Sequence, residues 1–72
     1  MTRADKIRLL EDMFDLAPGT LAEETKLADI EQYDSMSKLA LIVLFDDEFG
    51  KKLSGADIRS FETIADVVNF ME

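Results

Sequence analysis

The stretch Asp34-Ser35-Met36-Ser37-Lys38-Leu39-Ala40-Leu41-Ile42-Val43-Leu44-Phe45-Asp46-Asp47-Glu48-Phe49-Gly50 decides the fold class of this chain. Its apolar run from Leu39 to Phe45 has the composition of a buried strand. The polar flanks extend the segment beyond strand length, so the reading is a helix from Ser35 to about Phe49. Asp34 suits the N-cap, and Gly50 suits the left-handed residue that closes many helices. A helix apolar on most of its surface is either central in the core or shows an apolar face to something else.

Working outward, Thr2 and Asp5 stand at capping spacing before Ile7, Leu10, Met13 and Phe14, which predicts a first helix from Thr2 to about Leu16. Arg3, Lys6 and Arg8 precede Glu11, Asp12 and Asp15, an order that opposes the helix dipole, so packing must hold this helix. Pro18-Gly19 stops it. From Thr20 to Asp34 the apolar residues Leu21, Leu27 and Ile30 are spaced irregularly, as in a long loop pinned to a core by a few anchors. Thr20-Leu21-Ala22-Glu23 has the pattern of a single capped turn and no more. Ser54 with Asp57 starts a short helical turn holding Ala56 and Ile58. Thr63 with Asp66 starts a last helix with Ile64, Val67, Val68 and Met71 on its apolar stripe. The fold class is all-α: a small four-helix bundle, three main helices plus one short one, with a long loop between helices 1 and 2.

The 72 residues fit one domain, too small to wall off a deep catalytic pocket alone. There is no cysteine and no histidine. Disulfides, thiolate zinc sites, the commonest general base and the commonest metal ligand are therefore missing. None of the serines, Ser35, Ser37, Ser54 and Ser60, can meet a histidine, and a Ser35–Lys38 pair lacks the desolvation that activates a lysine. Asp46-Asp47-Glu48 clusters carboxylates that point in different directions on a helix, which makes a solvated or docking patch and not a metal site. Thiol or acid–base chemistry must come from a cofactor or a partner, which argues against an enzyme.

Acidic side chains outnumber basic ones 16 to 8, for a net charge of −8. Such a field repels nucleic acid and anionic membrane and attracts basic docking surfaces. The first residues, Met1-Thr2-Arg3-Ala4-Asp5-Lys6, lack a secretory leader, and the Leu39–Phe45 run is too short to span a bilayer. A cytoplasmic protein is expected, with no membrane insertion.

Taken alone, an Asp-Ser pair before a helix is ordinarily a cap. Here Asp34-Ser35 follows a long irregular loop and opens the most apolar helix, in a chain with no other chemistry. Tyr33-Asp34-Ser35-Met36, followed by an apolar helix closing in Asp46-Asp47-Glu48-Phe49-Gly50, resembles the acyl carrier proteins and related carrier domains. Their motif is Asp-Ser-Leu or Asp-Ser-Met at the start of the second helix. Phe61-Glu62-Thr63-Ile64 is similar to the family's segment before its final helix. The resemblance covers essentially the whole of residues 1–72 as a single carrier domain.

The resemblance implies that Ser35 carries 4′-phosphopantetheine, kept when its hydroxyl attacks the pyrophosphate of coenzyme A on a phosphopantetheinyl transferase. It implies that Asp34 serves recognition by that transferase and its magnesium. A helix N-terminus suits a phosphodiester, and the arm's thiol supplies the sulfur that the sequence lacks. It also implies an acyl shelter formed by Met36, Leu39, Val43, Ile58 and Phe61, for which the alternative is ordinary core. Partner docking is implied through Met36, Lys38, Asp46, Asp47 and Glu48, with acyl-loading ligases, synthases or transferases as partners of a monomer. Ser37, Lys38 and Ala40 stand where relatives often carry carboxylates, and Gln32-Tyr33 stand where a glycine is common. These departures point to a specialised carrier in fatty-acid-like, polyketide or other biosynthesis. An aminoacyl carrier loaded by an adenylating ligase and an unmodified helical interaction module are the alternatives.

Overall fold

Phe45 is fully buried at the centre of the molecule, and its ring sits 5.7 Å from Phe49, 5.9 Å from Phe70 and 6.5 Å from Phe61. The computed structural model describes residues 2–71. Four helices surround this cluster: α1 (Arg3–Met13), α2 (Ser35–Phe49), α3 (Gly55–Ser60) and α4 (Ile64–Phe70). Among the described residues there is no strand. The fold is the expected all-α bundle. With six residues in α3 and seven in α4, it has two long and two short helices, not three main and one short.

Every helix begins with a reciprocal capping box. Thr2 with Asp5, Ser54 with Asp57 and Thr63 with Asp66 are the pairs that the sequence spacing predicts. In α2 the partner of Asp34 is Ser37. The Asp34 carboxylate accepts the Ser37 N–H at 3.0 Å, and the Ser37 hydroxyl accepts the Asp34 N–H at 2.8 Å. Ser37 is accordingly buried, although it stands where relatives often carry a carboxylate.

α1 is shorter than expected. It ends at Met13 because Asp15 adopts a left-handed conformation (φ 59°), well before Pro18-Gly19. The Asp15 N–H donates to the Asp12 carbonyl at 3.1 Å and the Leu16 N–H to the Glu11 carbonyl at 2.8 Å, closing the last turn. Pro18-Gly19 instead makes the next turn, in which Gly19 has φ 84° and the Thr20 N–H donates to the Ala17 carbonyl. Thr20 donates its hydroxyl to Ala17 and caps no helix, and the single turn expected there forms over 22–25.

The long loop is held as its pattern predicts. Leu21, Leu27 and Ile30 are buried, and one 3-10 turn spans Leu27–Asp29. The loop also lies along the start of α4. Ile64 and Ala65 donate their N–H groups to the Thr25 and Glu23 carbonyls at 2.9 and 2.8 Å, and the Leu27 N–H reaches the Glu62 carbonyl at 2.9 Å. The amide donors that every helix N-terminus leaves unpaired are here satisfied by the loop.

α1 has Asp5 in its first turn but no basic residue in its last, and tertiary contacts help to hold it. The Arg3 guanidinium bridges the Glu23 carboxylate and the Asn69 side chain, while the Lys6 ammonium donates to the Met71 carbonyl at 3.2 Å. Leu10 of α1 and Phe14 at its C-cap join Leu41 of α2, Ile58, Phe61, and Ile64, Val67, Val68 and Met71 in one core.

Candidate functional site

Ser35 is the first residue of α2 and is exposed. Asp34 and Ser37 complete the cap between them, which leaves the Ser35 hydroxyl out of it. Among the described residues none hydrogen-bonds that hydroxyl, nor the N–H groups of Ser35 and Met36. A 15-residue helix thus starts with an accessible hydroxyl beside two unpaired amide donors, at the end where the dipole favours negative charge. That donor set fits a phosphate ester on Ser35.

The residues bracketing Ser35 are also placed. Lys38 lies one turn on, with its ammonium 5.3 Å from the centroid of the Tyr33 ring. Burial raises the Tyr33 phenol above its ordinary pKa. Tyr33 further forms an edge contact with Phe14 at 6.2 Å and walls an apolar groove of about 400 Å³, whose lining includes Leu27, Ala28, Phe61 and Thr63. This groove was not legible in the sequence, because residues of the long loop and of the α3–α4 connection, far apart in the chain, build it. The only signal was the single tyrosine, next to Asp34-Ser35.

The five residues of the expected acyl shelter do not converge on one cavity. Met36, Leu39 and Val43 point outward, 76%, 61% and 57% exposed, while Ile58 and Phe61 are buried. Ordinary core therefore describes Ile58 and Phe61 and fails for the other three. The outward three sit at i, i+3 and i+7, one stripe along α2. Lys38, Asp46, Asp47 and Glu48, which the resemblance implies for docking, are all exposed on the same helix, with Asp34 at its start. The outer surface of α2 is thus an apolar stripe with carboxylates at both ends. Among the described residues no group of His, Cys, Asp or Glu side chains could hold a metal ion, and no helix is long and apolar enough to cross a membrane.

An acyl carrier protein of Thermotoga maritima is 30% identical to this chain over 64 residues, covering 89% of the chain and 79% of the relative. The chain belongs to the acyl carrier protein family. It is a carrier and not an enzyme. Meromycolate extension acyl carrier proteins of Mycobacterium leprae and Mycolicibacterium smegmatis are each 25% identical over 64 residues. The chain aligns with 56% of the length of the first and 65% of the second. No family model and no solved structure matches the chain.

Proposed function

We propose that this acyl carrier protein holds acyl groups on a 4′-phosphopantetheine arm joined to Ser35, and delivers them to enzymes of a fatty-acid-like or other specialised biosynthesis. The observation that carries the reading is the accessible, unbonded Ser35 hydroxyl at the start of α2, beside a cap made by Asp34 and Ser37. The cap fixes the Ser35 backbone, so a transferase meets a hydroxyl in a defined place. In the attachment step the Ser35 oxygen forms a bond to the phosphorus that bears the pantetheine. The bond to the departing nucleotide phosphate breaks, and the serine proton passes to the transferase.

Asp34 keeps an exposed carboxylate next to that hydroxyl, which supports its role in recognition by the transferase and its magnesium. The Ser35 and Met36 N–H groups would face the phosphodiester. The arm supplies the thiol that bears the acyl group. The apolar groove walled by Tyr33, two residues from Ser35, supports a shelter for that cargo that keeps only Phe61 of the five residues implied by the resemblance. The relatives named for meromycolate extension support a lipid-building pathway.

The test is intact mass after incubation with coenzyme A and a broad-specificity phosphopantetheinyl transferase. Wild type gains one arm and Ser35→Ala gains none. A wild-type mass that does not change sinks the carrier reading in favour of an unmodified interaction module.

A further inference from the structure

The groove walled by Tyr33 is held at its sides and closed at its back. Leu27 and Ala28 in its lining come from the long loop, and Glu62 and Thr63 from the α3–α4 connection. Backbone bonds tie these two segments together. The Leu27 N–H donates to the Glu62 carbonyl and the Ile64 N–H to the Thr25 carbonyl, both at 2.9 Å, around an antiparallel bridge of Lys26 with Thr63. Widening the groove would leave those groups unpaired.

The back wall is Phe61, which is buried. Its ring lies edge-on to Phe70 at 5.5 Å and nearly parallel to Phe45 at 6.5 Å. Phe45 in turn packs on Phe49 and Phe70. Four interlocked rings thus fill the space into which a lengthening chain would have to grow. Aliphatic side chains can yield by changing rotamer, but a ring moves as a plate and displaces its neighbours with it.

We propose that this ring cluster sets a length limit on the cargo. The carrier is built for short acyl groups that end against Phe61, and not for long chains threaded into the bundle. The limit rests on the carrier reading of Ser35 and adds a substrate class to it. At a water's share of about 30 Å³, a hollow of about 400 Å³ takes about thirteen non-hydrogen atoms. The thioester and the end of the arm use about half of that volume, which leaves room for about six carbons of acyl group. Phe61 is then the residue that measures the chain, with Phe45 and Phe70 holding it in place.

The test loads the full chain with acetyl, butyryl, hexanoyl, octanoyl and dodecanoyl groups, using the acyl-coenzyme A compounds and a broad-specificity transferase. Mass confirms each product. The unfolding temperature should rise from acetyl to hexanoyl and then level, because each sheltered methylene shifts the folding equilibrium by up to about fourfold and an unsheltered one does not. Amide chemical shifts of Val67 and Val68, deep in the core, should be alike in the hexanoyl and dodecanoyl products. Phe61→Ala, compared only with itself across the series, should keep gaining stability through octanoyl. Phe70→Leu is the milder variant that loosens the same wall should Phe61→Ala fail to fold, and it should move the plateau in the same direction.

A wild-type unfolding temperature that climbs through dodecanoyl, or core shifts at Val67 and Val68 with the long chain, overturns the limit. So does a flat series from acetyl to hexanoyl, or a plateau that neither variant moves. Failure of every group to add mass sinks the carrier reading itself. Loading of all five with no plateau sinks the length limit alone.

Discussion

The buried carboxylate of Glu11 accepts the backbone N–H of Leu21 at 2.9 Å, fastening the start of the long loop to α1. Leu21 is itself a core residue, so this bond lets the chain enter the core without leaving an amide unpaired. Glu11→Ala removes the only acceptor shown for that N–H and should cost about 1–3 kcal/mol. Glu11→Gln keeps an oxygen in place and should cost clearly less. Urea unfolding midpoints of the two variants check this, and equal losses would assign the effect to packing.

Asp15 holds a left-handed backbone at the end of α1, a conformation that costs most L-residues about 1–2 kcal/mol. Aspartate tolerates it better than most, and glycine better still. Asp15→Gly should raise stability by about 0.5–1 kcal/mol, and Asp15→Val should lower it. Thermal unfolding of the three chains reads both signs.

Acid should loosen the start of α4. The Asp66 carboxylate accepts the N–H groups of Glu62 and Thr63 at 2.9 and 3.1 Å, and these bonds hold its pKa below the ordinary carboxylate value. A lowered folded pKa contributes stability above the unfolded value, which is lost as pH falls through the folded one. Stability should therefore fall from about pH 4 downward. Glu23, lowered by its hydrogen bond to Arg3, and Asp5, lowered by its bonds to Thr2, act in the same direction. Asp66→Asn keeps an acceptor but cannot titrate, so its unfolding midpoint should vary less over that range.

Tyr33 is the only tyrosine, so its ionisation can be followed alone by ultraviolet absorbance. Burial raises its pKa, and the folded chain should titrate above the free phenol at about 10. Its contribution to stability is present below the unfolded pKa and is lost as pH rises through the raised value. An inflection at or below the free value would mean that the ring, and the groove it walls, is open to water.

The sequence made the local devices legible. Thr2–Asp5, Ser54–Asp57 and Thr63–Asp66 announce helix starts because a capping box is complete within one turn of chain. Leu21, Leu27 and Ile30 showed an anchored loop for a similar reason, as single apolar residues among polar ones. Asp15 was hidden because Pro18-Gly19 is the louder stop, and an aspartate does not advertise a left-handed backbone. The burial of Glu11 was hidden because its partner is a backbone amide ten residues away.

Met36, Leu39 and Val43 could not be sorted from Leu41 and Phe45, since α2 is apolar on most of its surface and only packing says which face turns inward. Asp34-Ser35 was legible as a site through its short motif and the resemblance around it. The groove at Tyr33 needed the tertiary fold.

The central claim is the arm on Ser35, and Ser37 lies close enough to be mistaken for it. Cleavage after Lys26 and Lys38 gives a peptide, Leu27–Lys38, that contains both serines. Fragment masses of this peptide, taken from the chain after treatment with coenzyme A and a transferase, test the claim most directly. Fragments that contain Ser35 should carry the phosphopantetheine mass, and C-terminal fragments beginning at Met36 should not. An unmodified peptide, or an arm on Ser37, would contradict the account.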